Sequence, residues 1–93
     1  MARHSILGVS KVASLWANVY KETRVGDDIR IVLSKCGRPD EYLDLGDTQM
    51  LSWVSEEWKG FLRGGTITRK LVFVVKDGKV ISKTGQNLER IAL

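Results

Sequence analysis

The chain contains little of the chemistry that metal sites and most active sites require. Its 93 residues include one cysteine, Cys36, and one histidine, His4, so the sequence excludes an internal disulfide and a four-ligand zinc site. Cys36 has no histidine nearby in sequence to activate it, and no paired acid and base or other nucleophile constellation is evident. We therefore expect a non-enzymatic protein that needs no metal and no cofactor.

Proline and long hydrophobic runs are also scarce. The longest uninterrupted apolar run covers residues 71–75, far short of the roughly 20 residues that cross a bilayer. The chain has one proline and 43% hydrophobic residues, a composition typical of an ordered domain. We expect one domain, residues 1–93, because a chain of this length cannot support two separate cores. With its free thiol, the sequence predicts a cytoplasmic protein that does not associate with membranes.

Charge is present but unevenly distributed. The net charge is +4, yet residues 59–83 contain seven basic residues and one acid, whereas residues 22–57 contain four basic and nine acidic residues. Such an asymmetry favours an anionic partner, most simply nucleic acid, either DNA or RNA. The acids at positions 40, 41, 44 and 47 do not follow the spacing of a calcium loop, so they favour a solvated or protein-binding surface.

The first half of the chain predicts one helix and two strands. Apolar residues between positions 5 and 22 recur at intervals of three and four, which favours a helix, although residues 15–20 would also suit a strand. Residues 29–34 are rich in β-branched side chains and predict a strand after the turn at Gly26. Residues 42–45 predict a short second strand that pairs back onto the first.

The strongest helix prediction covers residues 47–63. Asp47 stands where an N-cap is expected, apolar residues follow at helical spacing, and a glycine pair at positions 64 and 65 would end the helix. On this helix Trp53 would lie about 120° from the apolar stripe. An exposed Trp53 could stack on bases or anchor an interface; the alternative is that it packs in the core against Trp16.

A β-hairpin is predicted around Asp77 and Gly78. This dipeptide favours a type I′ turn, which needs positive φ at both central residues. A two-residue loop would pair Lys76 with Lys79 and Val75 with Val80, and further along it would pair Val74 with Ile81 and Phe73 with Ser82. The fold class that follows is α+β, with a small, mostly antiparallel sheet and two helices packed on it.

A helix followed by a hairpin with an Asp-Gly tip resembles the recognition helix and wing of winged-helix DNA-binding proteins. The residues before it predict a strand and a turn instead of the first helix of a helix-turn-helix, and Glu56 and Glu57 would face phosphates badly. The resemblance therefore extends to the hairpin alone.

Two functions are compatible with these patterns. The first is a small nucleic-acid-binding accessory or regulatory protein, with lysines of the basic β-hairpin on phosphates and an aromatic group for stacking; the residues are Arg63, Arg69, Lys70, Lys76, Lys79, Lys83 and Trp53. Lysines at a hairpin tip also simply keep edges soluble. This hypothesis requires the cations to gather on one continuous patch, away from the carboxylates.

The second function is a protein-interaction module, such as an adaptor or inhibitor of a larger enzyme. Its interface would be the acidic half, residues 40–57, or an exposed Trp53. A homodimer is also compatible with the sequence, because a short sheet leaves edges to cover.

Overall fold

A four-stranded antiparallel sheet with two helices on one face forms the part of the chain that the computed structural model describes, residues 9–58 and 66–88. The elements are α1 (Val9–Glu22), α2 (Ile29–Cys36), β1 (Glu41–Asp44), β2 (Thr48–Trp58), β3 (Thr66–Lys76) and β4 (Lys79–Gln86). The strands lie in the order β1-β2-β3-β4. This architecture confirms the predicted α+β class.

The central strand β3 alternates between a buried face and a half-buried face along its whole length. Every second residue from Ile67 to Val75 is buried, and these residues face the helices. The core combines large side chains from both helices and from the sheet: Trp16, Val19, Ile29, Val32, Trp53, Leu71 and Phe73. The helices thus cover one face of the sheet only.

Helix α1 confirms the helical prediction for the described part of residues 5–22. Trp16 and Val19 are three residues apart and both are buried, whereas Leu15 is 40% exposed, as expected for an amphipathic helix. No helix in the described ranges is long and apolar enough to cross a membrane.

Residues 29–34 form a helix, so the strand prediction is wrong. Asp28 caps α2, because its carboxylate accepts a 2.9 Å hydrogen bond from the Arg30 amide. Ile29, Val32 and Cys36 are buried at intervals of three and four, and Gly37 ends the helix with φ 78°. Capping and burial of one helical face therefore outweigh the β propensity of this segment.

The helix predicted over residues 47–63 is also wrong where the structure describes it. Residues 48–58 are β2, which pairs with β3 along all of its length; the rest of that prediction, including its glycine end, falls outside the described ranges. Because β2 lies inside the sheet, it has apolar side chains on both faces, and this hides the strand periodicity. The analogy to a recognition helix is therefore lost.

Asp47 caps no helix. It lies in a two-residue turn between β1 and β2, where Gly46 has φ 94° and the Leu45 amide donates to the Thr48 carbonyl at 2.8 Å. A glycine with positive φ at the first turn position fits a type II′ hairpin turn. The short strand predicted near residue 42 is confirmed as β1, but it pairs with β2 and not with residues 29–34.

The hairpin of β3 and β4 is confirmed, with φ 53° at Asp77 and 76° at Gly78. Lys76 lies opposite Lys79 and Val75 opposite Val80, as predicted. Beyond this point the predicted pairs are wrong: a β-bulge leaves Ile81 as an extra residue, so Val74 pairs with Ser82 and Phe73 with Lys83. The bulge shifts the rest of β4 by one residue.

Candidate functional site

Arg69 is buried in the sheet and does not form part of an accessible basic patch. Only 2% of the residue is exposed, and its guanidinium donates a 2.6 Å hydrogen bond to the Asn87 carbonyl. The Asn87 side chain in turn donates to the Thr68 carbonyl at 2.8 Å. Arg69 therefore fastens the end of β4 to β3, which corrects its prediction as a phosphate contact.

Lys83 is bound to the end of α1. Its ammonium donates to the Thr23 carbonyl at 2.8 Å and to the Tyr20 carbonyl, and it lies 4.6 Å from the centre of the Tyr20 ring. A cation at this position complements the negative end of the helix dipole and satisfies carbonyl groups that the helix leaves without partners. Lys83 thus has a structural role, and its prediction as a phosphate contact is corrected as well.

Trp53 is fully buried, so an exposed stacking platform is ruled out and the core alternative holds. Its indole N–H donates to the Gly37 carbonyl at 3.2 Å, and its ring meets Phe73 edge to face with centroids 6.1 Å apart. The residue belongs to the same core as Trp16. Trp53 therefore joins β2 to the end of α2.

Lys70 lies on the sheet face that the helices do not cover. Its ammonium is 3.8 Å from the Glu41 carboxylate, with both side chains substantially exposed. Such an exposed pair contributes little to stability, but it places an acid beside one of the predicted phosphate contacts. Arg63, the remaining predicted cation, lies outside the described residues.

Lys76 and Lys79 are exposed and directly opposed at the hairpin tip. The loop between α1 and α2 lies beside them, because the backbone of Asp28 forms an isolated antiparallel β-bridge with Lys79. The Asp28 carboxylate forms a 2.7 Å ion pair with Arg30. The hydrogen bond from the Arg30 side chain is the main reason why the pKa of Asp28 falls to about 2. Cations and carboxylates therefore alternate at this tip.

The predicted cations do not form one patch in the described structure. Lys70 and Lys76 are six residues apart on the same strand, which is about 20 Å at ~3.3 Å per residue. Arg69 lies next to Lys70, and Lys83 lies opposite Phe73, between the two lysines. Both Arg69 and Lys83 point to the covered side of the sheet. The condition on which the nucleic-acid hypothesis rests is therefore not met in full: only Lys76 and Lys79 lie side by side, and Asp28 is close to them.

The β4 edge of the sheet is covered near the tip by the loop between α1 and α2. The Gly26 amide donates to the Val80 carbonyl at 2.7 Å, and the Val80 amide donates to the Asp27 carbonyl at 2.8 Å. The Ile29 amide donates to the Gly78 carbonyl at 2.9 Å. The start of β4 therefore has backbone partners on both sides.

The opposite edge, formed by β1, presents backbone groups that no segment among residues 9–58 and 66–88 covers. Leu45 pairs with Thr48 by a backbone hydrogen bond, and antiparallel ladders alternate between bonded and non-bonded pairs. Tyr42 and Asp44 therefore direct their backbone N–H and C=O groups away from β2. All four residues of β1 are exposed.

Three large apolar side chains are exposed on β1 and on the residue that follows it. Tyr42, Leu43 and Leu45 are 61%, 52% and 54% exposed. Leu43 also continues a row of half-buried apolar residues across the uncovered face, since it pairs with Met50, which pairs with Val74. Clustered apolar exposure of this kind is uncommon on monomeric surfaces and is typical of interaction sites.

The acids predicted as a docking surface surround this edge. Residues 38–48 contain one basic and four acidic residues, in a chain whose net charge is +4. Asp40 also fixes the start of the strand, because its carboxylate accepts a 2.7 Å hydrogen bond from the Val54 amide. No cluster of three or more metal-ligating side chains occurs among residues 9–58 and 66–88.

Leu43 and Leu45 are not among the predicted site residues, although the sequence contains a signal for them. The sequence Leu45-Gly46-Asp47-Thr48 is a two-residue hairpin signature, and it would have paired residues 42–45 with residues 48–51. That pairing places the acidic segment at a sheet edge.

No protein-family model, curated protein or solved structure matches this chain.

Proposed function

We propose that this protein is a non-enzymatic protein-interaction module that binds an extended segment of a partner protein along the β1 edge. The observation that carries the proposal is the combination of outward backbone groups at Tyr42 and Asp44 with three exposed apolar side chains, two on this short strand and one on the residue that follows it. Adding a strand to such an edge satisfies the backbone groups and buries the apolar ones. An adaptor and an inhibitor of a larger enzyme are both roles that such a module serves.

The contrast with the β4 edge supports the choice of site. Hydrogen bonds from the loop at Gly26 and Asp27 occupy the start of β4, whereas the β1 edge meets no such segment in the described part of the chain. Sheet edges are commonly protected by charge and by short strands, and β1 has both features. Those features prevent indiscriminate pairing, but they leave an edge that a complementary partner can use.

A proline at position 42 tests this proposal. Because the Tyr42 amide points away from β2, Tyr42→Pro removes an outward donor and leaves the β1–β2 ladder intact. The matched control is Tyr42→Val, which also loses the aromatic ring but keeps the amide. Peptides would be selected on the wild-type protein from a library of random ten-residue sequences and titrated against all three proteins.

We expect Tyr42→Pro to weaken the selected peptides about tenfold relative to Tyr42→Val, since one backbone hydrogen bond is lost and the peptide carbonyl is left without a partner. Chemical-shift changes on binding should centre on β1 and on its neighbours in β2. The proposal is refuted if the peptides bind both variants equally, or if the shifts centre on another surface while both variants keep the wild-type melting temperature.

We propose nucleic-acid binding through the hairpin tip as the second candidate. It is favoured by one observation, the direct opposition of the exposed Lys76 and Lys79, a like-charge pair that an anion would relieve. With two cations, binding would be weak and only modestly dependent on salt, because the salt dependence grows with the number of phosphates contacted.

Titration with random single-stranded and double-stranded oligonucleotides at two salt concentrations tests this candidate. Affinity should fall with salt and be lost when Lys76 and Lys79 are both changed to Glu. Lys70→Glu, on the same sheet face but beside Glu41, is the matched control and should keep most of the affinity. Equal loss in both variants would show that the tip is not the binding site.

A further inference from the structure

We infer that the segment bound at the β1 edge is basic and apolar, with two cationic side chains three positions apart. This inference rests on the proposed function and identifies the chemistry of the partner. It follows from the two faces of β1: Glu41, Leu43 and Leu45 lie on the uncovered face of the sheet, and Tyr42 and Asp44 lie on the face that the helices occupy elsewhere.

Each face of β1 therefore has one acid beside apolar side chains. A strand added antiparallel would place successive residues opposite Leu45, Asp44, Leu43, Tyr42 and Glu41. Side chains that complement these neighbours are apolar, basic, apolar, apolar and basic, in the direction of the added strand. Because these two basic residues are three positions apart, they lie on opposite faces of the added strand, one beside Asp44 and the other beside Glu41.

The acids at this edge differ in how much they are already engaged. Glu41 has Lys70 at 3.8 Å, so a cation from the partner would share this carboxylate. Asp44 accepts a 3.0 Å hydrogen bond from the Gly46 amide through one oxygen, and Asp47 is exposed in the turn beside it. We therefore expect the basic residue opposite Asp44 to contribute more than the one opposite Glu41.

Charge argues against a second copy of this chain as the occupant. Two β1 strands paired about a two-fold axis would bring together the four acids of residues 38–48 from each copy, with one arginine from each to balance them. Like charges at this separation oppose association, whereas a basic segment removes the same repulsion. The edge therefore suits a partner of opposite charge.

The inference is tested with three ten-residue peptides that differ only in charge. Their central residues are Val-Lys-Val-Val-Lys, Val-Gln-Val-Val-Gln and Val-Glu-Val-Val-Glu, and binding to the full chain is measured by fluorescence anisotropy at 50 mM and 500 mM salt. We expect the lysine peptide to bind at least tenfold tighter than the glutamine peptide at low salt, with the difference shrinking at high salt. The glutamate peptide should bind least.

Backbone pairing is tested separately by methylating single amides of the lysine peptide. The fourth central residue lies opposite Tyr42 and directs its N–H at β1, whereas the third lies opposite Leu43 and directs its N–H away. N-methylation at the fourth residue should abolish binding, and the same change at the third residue should be tolerated.

The protein variants complete the test. Asp44→Asn keeps the oxygen that accepts the Gly46 amide but loses the charge, so it should weaken the lysine peptide threefold or more and leave the glutamine peptide unchanged. Glu56→Gln removes a carboxylate from the uncovered face beyond the reach of β1 and should change neither affinity.

The outcomes distinguish the charge of the partner from strand addition itself. Equal binding of the lysine and glutamine peptides, with binding still sensitive to methylation at the fourth residue, overturns the inference about charge and leaves strand addition standing. If none of the three peptides binds and the library yields no peptide that binds, both the inference about charge and the proposal of strand addition are overturned. Micromolar self-association in sedimentation that strengthens in Asp44→Asn identifies a second copy as the occupant and also overturns the inference.

Discussion

The two edges of the sheet are protected from unwanted strand pairing in different ways. At the β4 edge, a loop from the other side of the core supplies backbone hydrogen bonds to residues 78–80. At the β1 edge, the strand is only four residues long and is surrounded by carboxylates, and its outward backbone groups meet no described segment. A covered edge is closed to every partner, whereas a charged edge remains open to partners of the opposite charge.

The largest expected effect comes from comparing a buried aromatic residue of the core with an exposed one at the β1 edge. Trp53→Ala should lower the free energy of unfolding by about 3–5 kcal/mol, because a large buried side chain and its hydrogen bond to Gly37 are lost. Tyr42→Ala, on the neighbouring strand, should cost less than about 1 kcal/mol, because that ring is exposed. Urea denaturation of the two variants measures both values, and similar costs would contradict the assignment of an exposed edge.

The next effect concerns the β4 edge. Lys83→Met should cost about 1–3 kcal/mol, since it leaves the carbonyls of Tyr20 and Thr23 without their shared donor. Lys79→Met, on the same strand but exposed, serves as the control and should change stability by less than about 0.5 kcal/mol. Thermal denaturation monitored by circular dichroism gives both values. Equal effects would mean that the contact with α1 does not stabilise the fold.

A smaller effect is expected from acid, through the loop that covers β4. The pKa of Asp28 is lowered from 3.8 to about 2 in the folded protein, chiefly by the Arg30 side chain. The carboxylate therefore stabilises the fold above a pH of about 4, and its contribution is lost as the pH falls towards 2. Asp28→Asn should be less stable than the wild type at pH 6, with the difference vanishing near pH 2.

Urea midpoints measured at several pH values provide this comparison. A difference between wild type and Asp28→Asn that stays constant from pH 6 to pH 2 would contradict the role of the ionised carboxylate. The effect should be modest, because asparagine is itself a good N-cap.

The smallest effect lies at the hairpin tip. Lys76→Gln removes one member of the opposed pair with Lys79 and should raise stability by a few tenths of a kcal/mol. The gain should shrink at high salt, since the repulsion is exposed to solvent. Lys70→Gln is the opposite case, because it breaks the pair with Glu41, and it should not stabilise the protein.

Local chemistry allowed the sequence to predict one helix, one edge strand and one hairpin. The Asp-Gly turn and the three-and-four spacing around Trp16 depend on neighbours in the chain, so they survive in the fold. The errors arose where distant contacts decide. β2 lies between β1 and β3 and contains apolar residues on both of its faces, so the spacing of its apolar residues resembles that of a helix.

Within the erroneous helix, the position of Trp53 was itself a warning. A large aromatic residue far from the apolar stripe contradicts an amphipathic helix, whereas a strand puts Trp53 and Leu51 on one buried face. For α2, the missed signal was the capping residue Asp28 ahead of apolar residues spaced by three and four. Both signals were present in the sequence, but β propensity in one segment and helical spacing in the other pointed elsewhere.

The candidate site was predictable only in part, for a similar reason. The acids around β1 and the lysines of the tip are local features and could be identified from the sequence. Which cations reach the solvent depends on the register of β3 and β4 and on the burial of Arg69 against Asn87. Those are tertiary properties that no composition count contains.

The extra residue in β4 has a consequence for how this surface can change. Side chains alternate along a strand, so in a regular hairpin Ile81 would pair with Val74 and Lys83 would emerge opposite Val72, on the uncovered face. The bulge absorbs Ile81 and places Lys83 opposite Phe73, on the covered face. Deleting Ile81 would remove the bulge and keep Lys83 opposite Phe73 on the covered face, with Ser82 and Thr84 on the other side as they are now. The contact between Lys83 and α1 therefore tolerates loss of this residue, whereas one further inserted residue that the ladder does not absorb would turn Lys83 towards Lys70 and exchange stability for a larger cationic surface.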